Sequence, residues 1–208
     1  MVLLGIIISY LLGSIPTAYI VGRIRKGIDI RNFGSGNVGA TNAFRVLGPI
    51  WAIIVLTVDI SKGLVSVTLL ADYFLNYWDF TPLVLRILFG FACILGHNWT
   101  IFLRFKGGKG VATTLGVLAG LAVVLVELRL VILLVILVWL VAFLVFRVVS
   151  VASILCSIAL PFFVFFFCPT KELLIFSIIL ALFIIIRHKN NIVGLLQGGE
   201  HPLTSKKQ

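Results

Sequence analysis

Acidic residues are scarce in this sequence: only 7 of 208 positions are Asp or Glu, and charged side chains of both signs make up 12%, where a soluble domain carries about a quarter. With 61% of residues hydrophobic, that scarcity excludes a soluble globular protein. Polar stretches long enough for a separate aqueous domain are missing too. At about 20 residues per crossing, seven crossings take about 140 residues and leave about 68 for every loop and both termini. Cysteines are few, and Cys93, Cys156 and Cys168 stand in or beside apolar runs at neither disulfide nor metal-ligand spacing. No metal site is expected from them. Lys and Arg, 17 in all, outnumber the acids and give a net charge of +10. In a soluble chain that excess would point to nucleic acid; in so apolar a chain it marks cytoplasmic loop anchors, and no nucleic-acid partner is expected.

What is present in abundance is long apolar sequence. Apolar runs fall at about 1–22, 47–71, 83–103, 111–126, 130–146, 149–168 and 173–186, separated by charge, Gly or Pro. They predict an all-α polytopic membrane protein with seven transmembrane helices. Residues 1–21 carry no Lys or Arg ahead of their apolar core, so the segment lacks the basic start of a signal peptide and is expected to stay as a span. An N-terminus outside places Arg23, Arg25, Lys26, Arg31, Arg45, Arg104, Lys106, Lys109, Arg147, Arg187, Lys189, Lys206 and Lys207 in the cytoplasm, with the C-terminus. Only Arg86, Arg129 and Lys171 fall outside, and Lys62 lies within a span. That bias fixes the expected orientation. The short run at 111–126 and the run at 149–168 are its weakest members; six spans would reverse one end and spoil the bias.

Four cytoplasmic segments hold the unusual polar residues. The first runs from Gly34 through Ser35, Gly36, Asn37 and Gly39 to Asn42, with Arg45 following. Its glycines free the backbone to turn N–H groups toward a ligand, and a short helix starting near Thr41 would put Asn42 and Arg45 on one face. A flexible loop with Ser or Asn helix caps explains it equally well. The second, Gly96-His97 and then Phe102 to Thr113, packs Arg104, Lys106, Gly107, Gly108, Lys109 and Gly110 just before a predicted helix. That composition suits an anion nest backed by a helix N-terminus. It is not a Walker loop, because Gly110 stands where Ser or Thr must follow the lysine. Orientation anchors account for Arg104 and Lys106 but leave the three glycines around Lys109 unexplained, so the anion-binding reading is preferred. The third is Asp59 and Lys62, spaced i and i+3 within an apolar run, either an ion pair or a substrate contact. The fourth combines Ser150 with His188, Asn191 and the Gly194–Glu200 stretch. Together they suit a small phosphorylated molecule from the cytosol, with a lipid substrate entering sideways from the membrane.

Leu12-Gly13-Ser14-Ile15-Pro16, the Gly34 to Asn42 segment with Arg45, the Gly96 to Thr113 segment and Gly194 to Glu200 stand in an order and spacing that resembles the bacterial membrane glycerol-3-phosphate acyltransferases, the family that uses acyl phosphate as donor. The resemblance spans nearly the whole chain. It implies a single transmembrane domain over 1–208 in the inner membrane, with seven helices and a site facing the cytoplasm. It also implies acyl transfer to the sn-1 hydroxyl of glycerol 3-phosphate, giving lysophosphatidic acid and phosphate without a cofactor, and possible contact with other phospholipid-synthesis enzymes. Carried onto this sequence, catalytic roles fall on Ser35, Lys109 and His188. Substrate contacts fall on Asn37, Asn42, Arg45, Lys62, Gly107, Gly108, Gly110, Thr113, Ser150, Asn191 and Glu200. One phosphate is expected at the Gly107–Gly110 turn with Lys109 and the other at Arg45, Lys62, Ser35 and His188, in either order. Another acyltransferase class resembles enzymes with a His-x4-Asp pair that deprotonates the acceptor hydroxyl. Five positions after His97, His188 and His201 stand Phe102, Val193 and Lys206, so that pair is missing. An anion or organic-phosphate transporter is the main alternative, although transporters favour internal repeats and midplane breaks; a scaffold would leave the motifs without a purpose.

Overall fold

The computed structural model describes residues 1–79 and 81–197; Glu200, Lys206 and Lys207 lie outside them. The described residues form helices and turns in two compact units, one covering Met1–Leu121 and the other beginning at Ala122. In the first unit α1 (Val2–Ser14) stops at Ile15-Pro16, and α2 (Thr17–Lys26) resumes directly after it. Proline has no N–H to continue the ladder and restricts the residue before it, so the first apolar run is two helices with a break. Gly27, at φ 66°, closes α2 with its N–H on Arg23 O. Then follow α3 (Ala40–Leu47) and α4 (Pro49–Val65), hinged at Gly48 with proline opening the second helix. A π-helical turn, Ser66–Leu70, leads from α4 into α5 (Ala71–Phe74). Helices α6 (Pro82–Asn98) and α7 (Val111–Val124) follow. The remaining described residues form α8 (Leu128–Phe146), α9 (Val149–Phe167), α10 (Lys171–Arg187) and the short α11 (Lys189–Leu196), with the turns between them.

Among the described residues, five helical segments are long and apolar enough to cross a membrane: Val2–Lys26, Pro49–Tyr77, Pro82–Leu103, Leu128–Phe146 and Val149–Phe167. The 14 residues of α7 reach only about 21 Å at 1.5 Å per residue, short of the roughly 30 Å hydrocarbon core. On α8, Leu133, Leu137, Leu140 and Leu144 are exposed, as a lipid-facing helix requires.

Lipid tails are as apolar as leucine, so membrane helices hold together by close backbone approach and polar contacts. Both operate in the first unit. A methyl group added to Gly13 would overlap Cys93 O, and one added to Gly96 would overlap Tyr10 O, so α1 and α6 touch reciprocally through glycine. The same reciprocity joins α4 to α7, with Gly63 against Thr113 O and Gly116 against Ile60 O. The Ser9 and Ser66 hydroxyls meet at 2.5 Å and share the Phe89 carbonyl, at 2.6 and 3.0 Å. Arg86 donates to Val67 O, within the π-helical turn, at 2.6 Å and pairs with Asp72.

Candidate active site

The segment between α2 and α3 is built around two polar anchors. Asp29 accepts from Arg31 N at 3.0 Å and from its guanidinium, with the Arg31 Nη2 contact at 2.6 Å. That guanidinium holds the Asp29 carboxyl down at about 2, so the pair persists at every pH above the ordinary carboxylate range. The second anchor is Asn42, only 1% exposed. Its Oδ1 accepts from Ser35 N at 2.8 Å, and its Nδ2 faces Ile30 O, Phe33 O and Asn37 O at 3.2, 3.1 and 2.9 Å. Gly34 and Gly36 take the left-handed conformation, φ 60° and 71°, and a side chain on Gly34 would strike Asn42 Oδ1. Asn42 therefore fixes the loop that carries Ser35 and Asn37. Arg45, one helical turn on, is exposed, as is Ser35, while Asn37 is half-buried.

The segment between α6 and α7 folds back onto the end of α6. Gly107 N donates to Asn98 O at 3.2 Å and Gly108 N to His97 O at 2.9 Å. Those two N–H groups thus hold the turn in place instead of lining an open nest. The glycines themselves are required by proximity: a methyl on Gly107 would overlap His97 O, and one on Gly108 would overlap His97 Nε2. Gly110, at φ 80°, passes beside Asn98 Oδ1. Arg104 and Phe105, at φ 54° and 61°, hold a left-handed conformation that costs side-chain-bearing residues energy and clusters at functional sites. Phe105 N is secured to Thr100 O at 2.8 Å, and Thr100 Oγ1 to Ser14 O at 2.5 Å. Thr113, in the first turn of α7, is fully buried.

Beneath this turn is a buried polar cluster. Lys62 Nζ stands 2.9 Å from Asp59 Oδ1, 2.8 Å from His97 Nδ1 and 3.3 Å from Ile15 O. Thr17 Oγ1 donates to Asp59 Oδ1 at 3.0 Å. Asp59, Lys62 and His97 are 2%, 4% and 7% exposed. The Asp59–Lys62 spacing resolves as an ion pair. Its third member, His97, and its contact from Thr17 were missed in the sequence; two charges inside an apolar run were the only signal that further polar partners had to exist.

In the second unit, Ser150 is buried at the start of α9, and His188 is 2% exposed at the N-terminal end of α11, where Asn191 follows. His188 Nδ1 lies 2.7 Å from Ile184 O. A carbonyl can only accept, so Nδ1 carries a ring proton and donates it.

The family described as glycerol-3-phosphate acyltransferase matches residues 3–198 of the chain. A glycerol-3-phosphate acyltransferase of Pelodictyon phaeoclathratiforme is 38% identical, covering 97% of this chain and 96% of its own. Glycerol-3-phosphate acyltransferase 2 of Moorella thermoacetica is 43% identical, covering 97% of each. Among solved structures, PlsY, an integral membrane glycerol 3-phosphate acyltransferase, superposes in its glycerol 3-phosphate form with a TM-score of 0.84 at 38% identity, covering 97% of this chain and 94% of that one. Its lysophosphatidic acid form gives 0.82 at 37% identity.

Proposed function

Because the chain belongs to the glycerol-3-phosphate acyltransferase family and is an acyltransferase, we propose that its donor is an acyl phosphate and its acceptor the sn-1 hydroxyl of glycerol 3-phosphate. The hydroxyl oxygen attacks the acyl carbon, the bond from that carbon to the phosphate oxygen breaks, and the hydroxyl proton leaves with the phosphate. Lysophosphatidic acid and inorganic phosphate result. The whole chain, 1–208, acts as one such enzyme. The observation that supports this donor is in the sequence: five positions after His97, His188 and His201 stand Phe102, Val193 and Lys206, so the His-x4-Asp pair that would deprotonate the acceptor hydroxyl is missing. General-base help is worth about 10² to 10⁴ in rate, and an acyl phosphate, already activated, dispenses with much of it. The remaining task is alignment and charge stabilisation. By the family resemblance, Ser35, Asn37, Arg45, Lys109 and Thr113 of the first unit serve the two phosphates, and Ser150, Asn191 and Glu200 also serve the substrates, with His188 positioning the acceptor hydroxyl.

Purified protein should convert labelled glycerol 3-phosphate to lipid with palmitoyl phosphate and do so far less well with palmitoyl-CoA. The His188→Gln variant should keep the shape of the pH profile. Preference for the thioester, or disappearance in the variant of a rate-controlling ionisation near the histidine value of about 6.5, refutes the mechanism.

The site faces the cytoplasm, the source of glycerol 3-phosphate, while the acyl phosphate enters sideways from the inner membrane. This orientation counts α7 and α10 as crossings beside the five longer segments, giving seven helices with the N-terminus outside; it rests on the positive-inside bias. Cys93, Cys156 and Cys168 are buried, so labelling of a Ser205→Cys variant can be read against a low background. The variant should react with a membrane-impermeant reagent from the cytoplasmic side only; reaction from outside alone overturns the orientation.

A further inference from the structure

The cluster of Asp59, Lys62 and His97 takes no part in the transfer as written, yet it sits where two structural requirements meet. An ammonium has three N–H groups and no lone pair, and Lys62 has three acceptors within reach on three different segments. One is Ile15 O, at the Pro16 break. Another is Asp59, one turn back in α4, itself held by Thr17 across the same break. The last is His97 Nδ1, near the end of α6. Since the ammonium must donate, Nδ1 is the acceptor and the imidazole proton is on Nε2. That opposite edge of the ring lies directly against Gly108, in the turn whose N–H groups close on the His97 and Asn98 carbonyls. Ion pairs removed from water are seldom worth their desolvation against apolar packing of the same volume, and within a membrane span they mark function.

We propose that Lys62 is a positioning residue: its ammonium fixes the tautomer and tilt of His97, and the ring in turn seats the Gly107–Gly110 turn that receives a substrate phosphate. This role rests on the acyltransferase reading above and deepens it. Lys62 reaches the substrate through His97 and does not touch it.

The test joins a spectroscopic and a kinetic measurement. The protein has three histidines, so the ring nitrogens of His97 can be assigned in ¹⁵N-histidine-labelled protein by their loss in His97→Gln. Wild type should show a single neutral Nε2–H tautomer. An Nδ1–H tautomer, or an imidazolium, overturns the proposal. The double variant Asp59→Asn with Lys62→Met removes both charges together and leaves no lone buried ion. It should melt near wild type, show mixed His97 tautomers and raise KM for at least one phosphate-bearing substrate about tenfold, the worth of a charge-assisted contact, with a smaller change in kcat. Wild-type KM values for both substrates in a folded double variant mean that the cluster serves stability alone. If the double variant does not survive purification, Lys62→Arg decides. It keeps a donor on a longer, planar arm, so the Nε2–H tautomer should persist with a raised KM, and wild-type kinetics there refute the role. A wild-type protein that acylates nothing defeats the acyltransferase reading, while the tautomer measurement still reports on the Lys62–His97 contact.

Discussion

Gly107→Ala removes most acyl transfer, by about 100-fold or more, the scale on which a displacement of an ångström at a reacting site is felt. The added methyl group would occupy the position of the His97 carbonyl oxygen. That oxygen is main chain at the end of a packed helix and already accepts Gly108 N at 2.9 Å, so it has nowhere to go. The turn must lift instead, carrying Lys109 with it. Gly108→Ala meets only the edge of an imidazole, which can tilt at the expense of its contact with Lys62, and should lose less. The helices lie elsewhere, so circular dichroism and the melting temperature of Gly107→Ala should stay close to wild type. Activity within threefold of wild type in Gly107→Ala would place the turn away from the chemistry.

Gly116→Val in α7 and Gly13→Val in α1 should each cost stability at or above the upper end of the 1–3 kcal/mol, roughly, that overpacking exacts. The reason is again a carbonyl: Ile60 O faces Gly116 and Cys93 O faces Gly13. A clashing side chain can change rotamer, whereas a clashing carbonyl can be relieved only by separating two helices, and with them the reciprocal contacts at Gly63 and Gly96. The three buried cysteines make the measurement simple, because a thiol-reactive dye signals unfolding in detergent as they become accessible. Leu137→Val, on an exposed stretch of α8, is the matched control and should leave the transition nearly unmoved. If Gly116→Val melts with the control, the α4–α7 contact is looser than its geometry implies.

Much of the helical order was legible because apolar runs and their breakers are local signals. Gly48-Pro49 opens α4, Pro82 opens α6 and Gly27 closes α2, each by a property of the residue itself. The break at Ile15-Pro16 was less visible, since hydropathy runs straight across it. The candidate site was legible as composition and much less as geometry. Glycines at 107 and 108 suggested N–H groups open to a phosphate, but their N–H groups close onto α6, and their lack of a side chain is what allows the turn to approach. Asn42 read as a substrate contact on the Arg45 face; its bonds run to the loop before it. The Lys62–His97 contact joins residues 35 apart, and no local pattern reports such a meeting. Glu200 lies beyond the described residues.

The π-helical turn at Ser66–Leu70 divides one long helix into two registers. Each residue advances a helix by about 100°, so the one extra residue that a π turn accommodates rotates everything after it by that amount relative to everything before it. Upstream, Asp59 and Lys62 keep the phase that aims them at His97 and Ile15. Downstream, Asp72 has the separate phase that meets Arg86, whose other contact is a carbonyl of the turn itself. The turn thus works as a joint between two keyed segments. Sequence drift in the Asp72 half can be absorbed there without turning the lysine away from its imidazole.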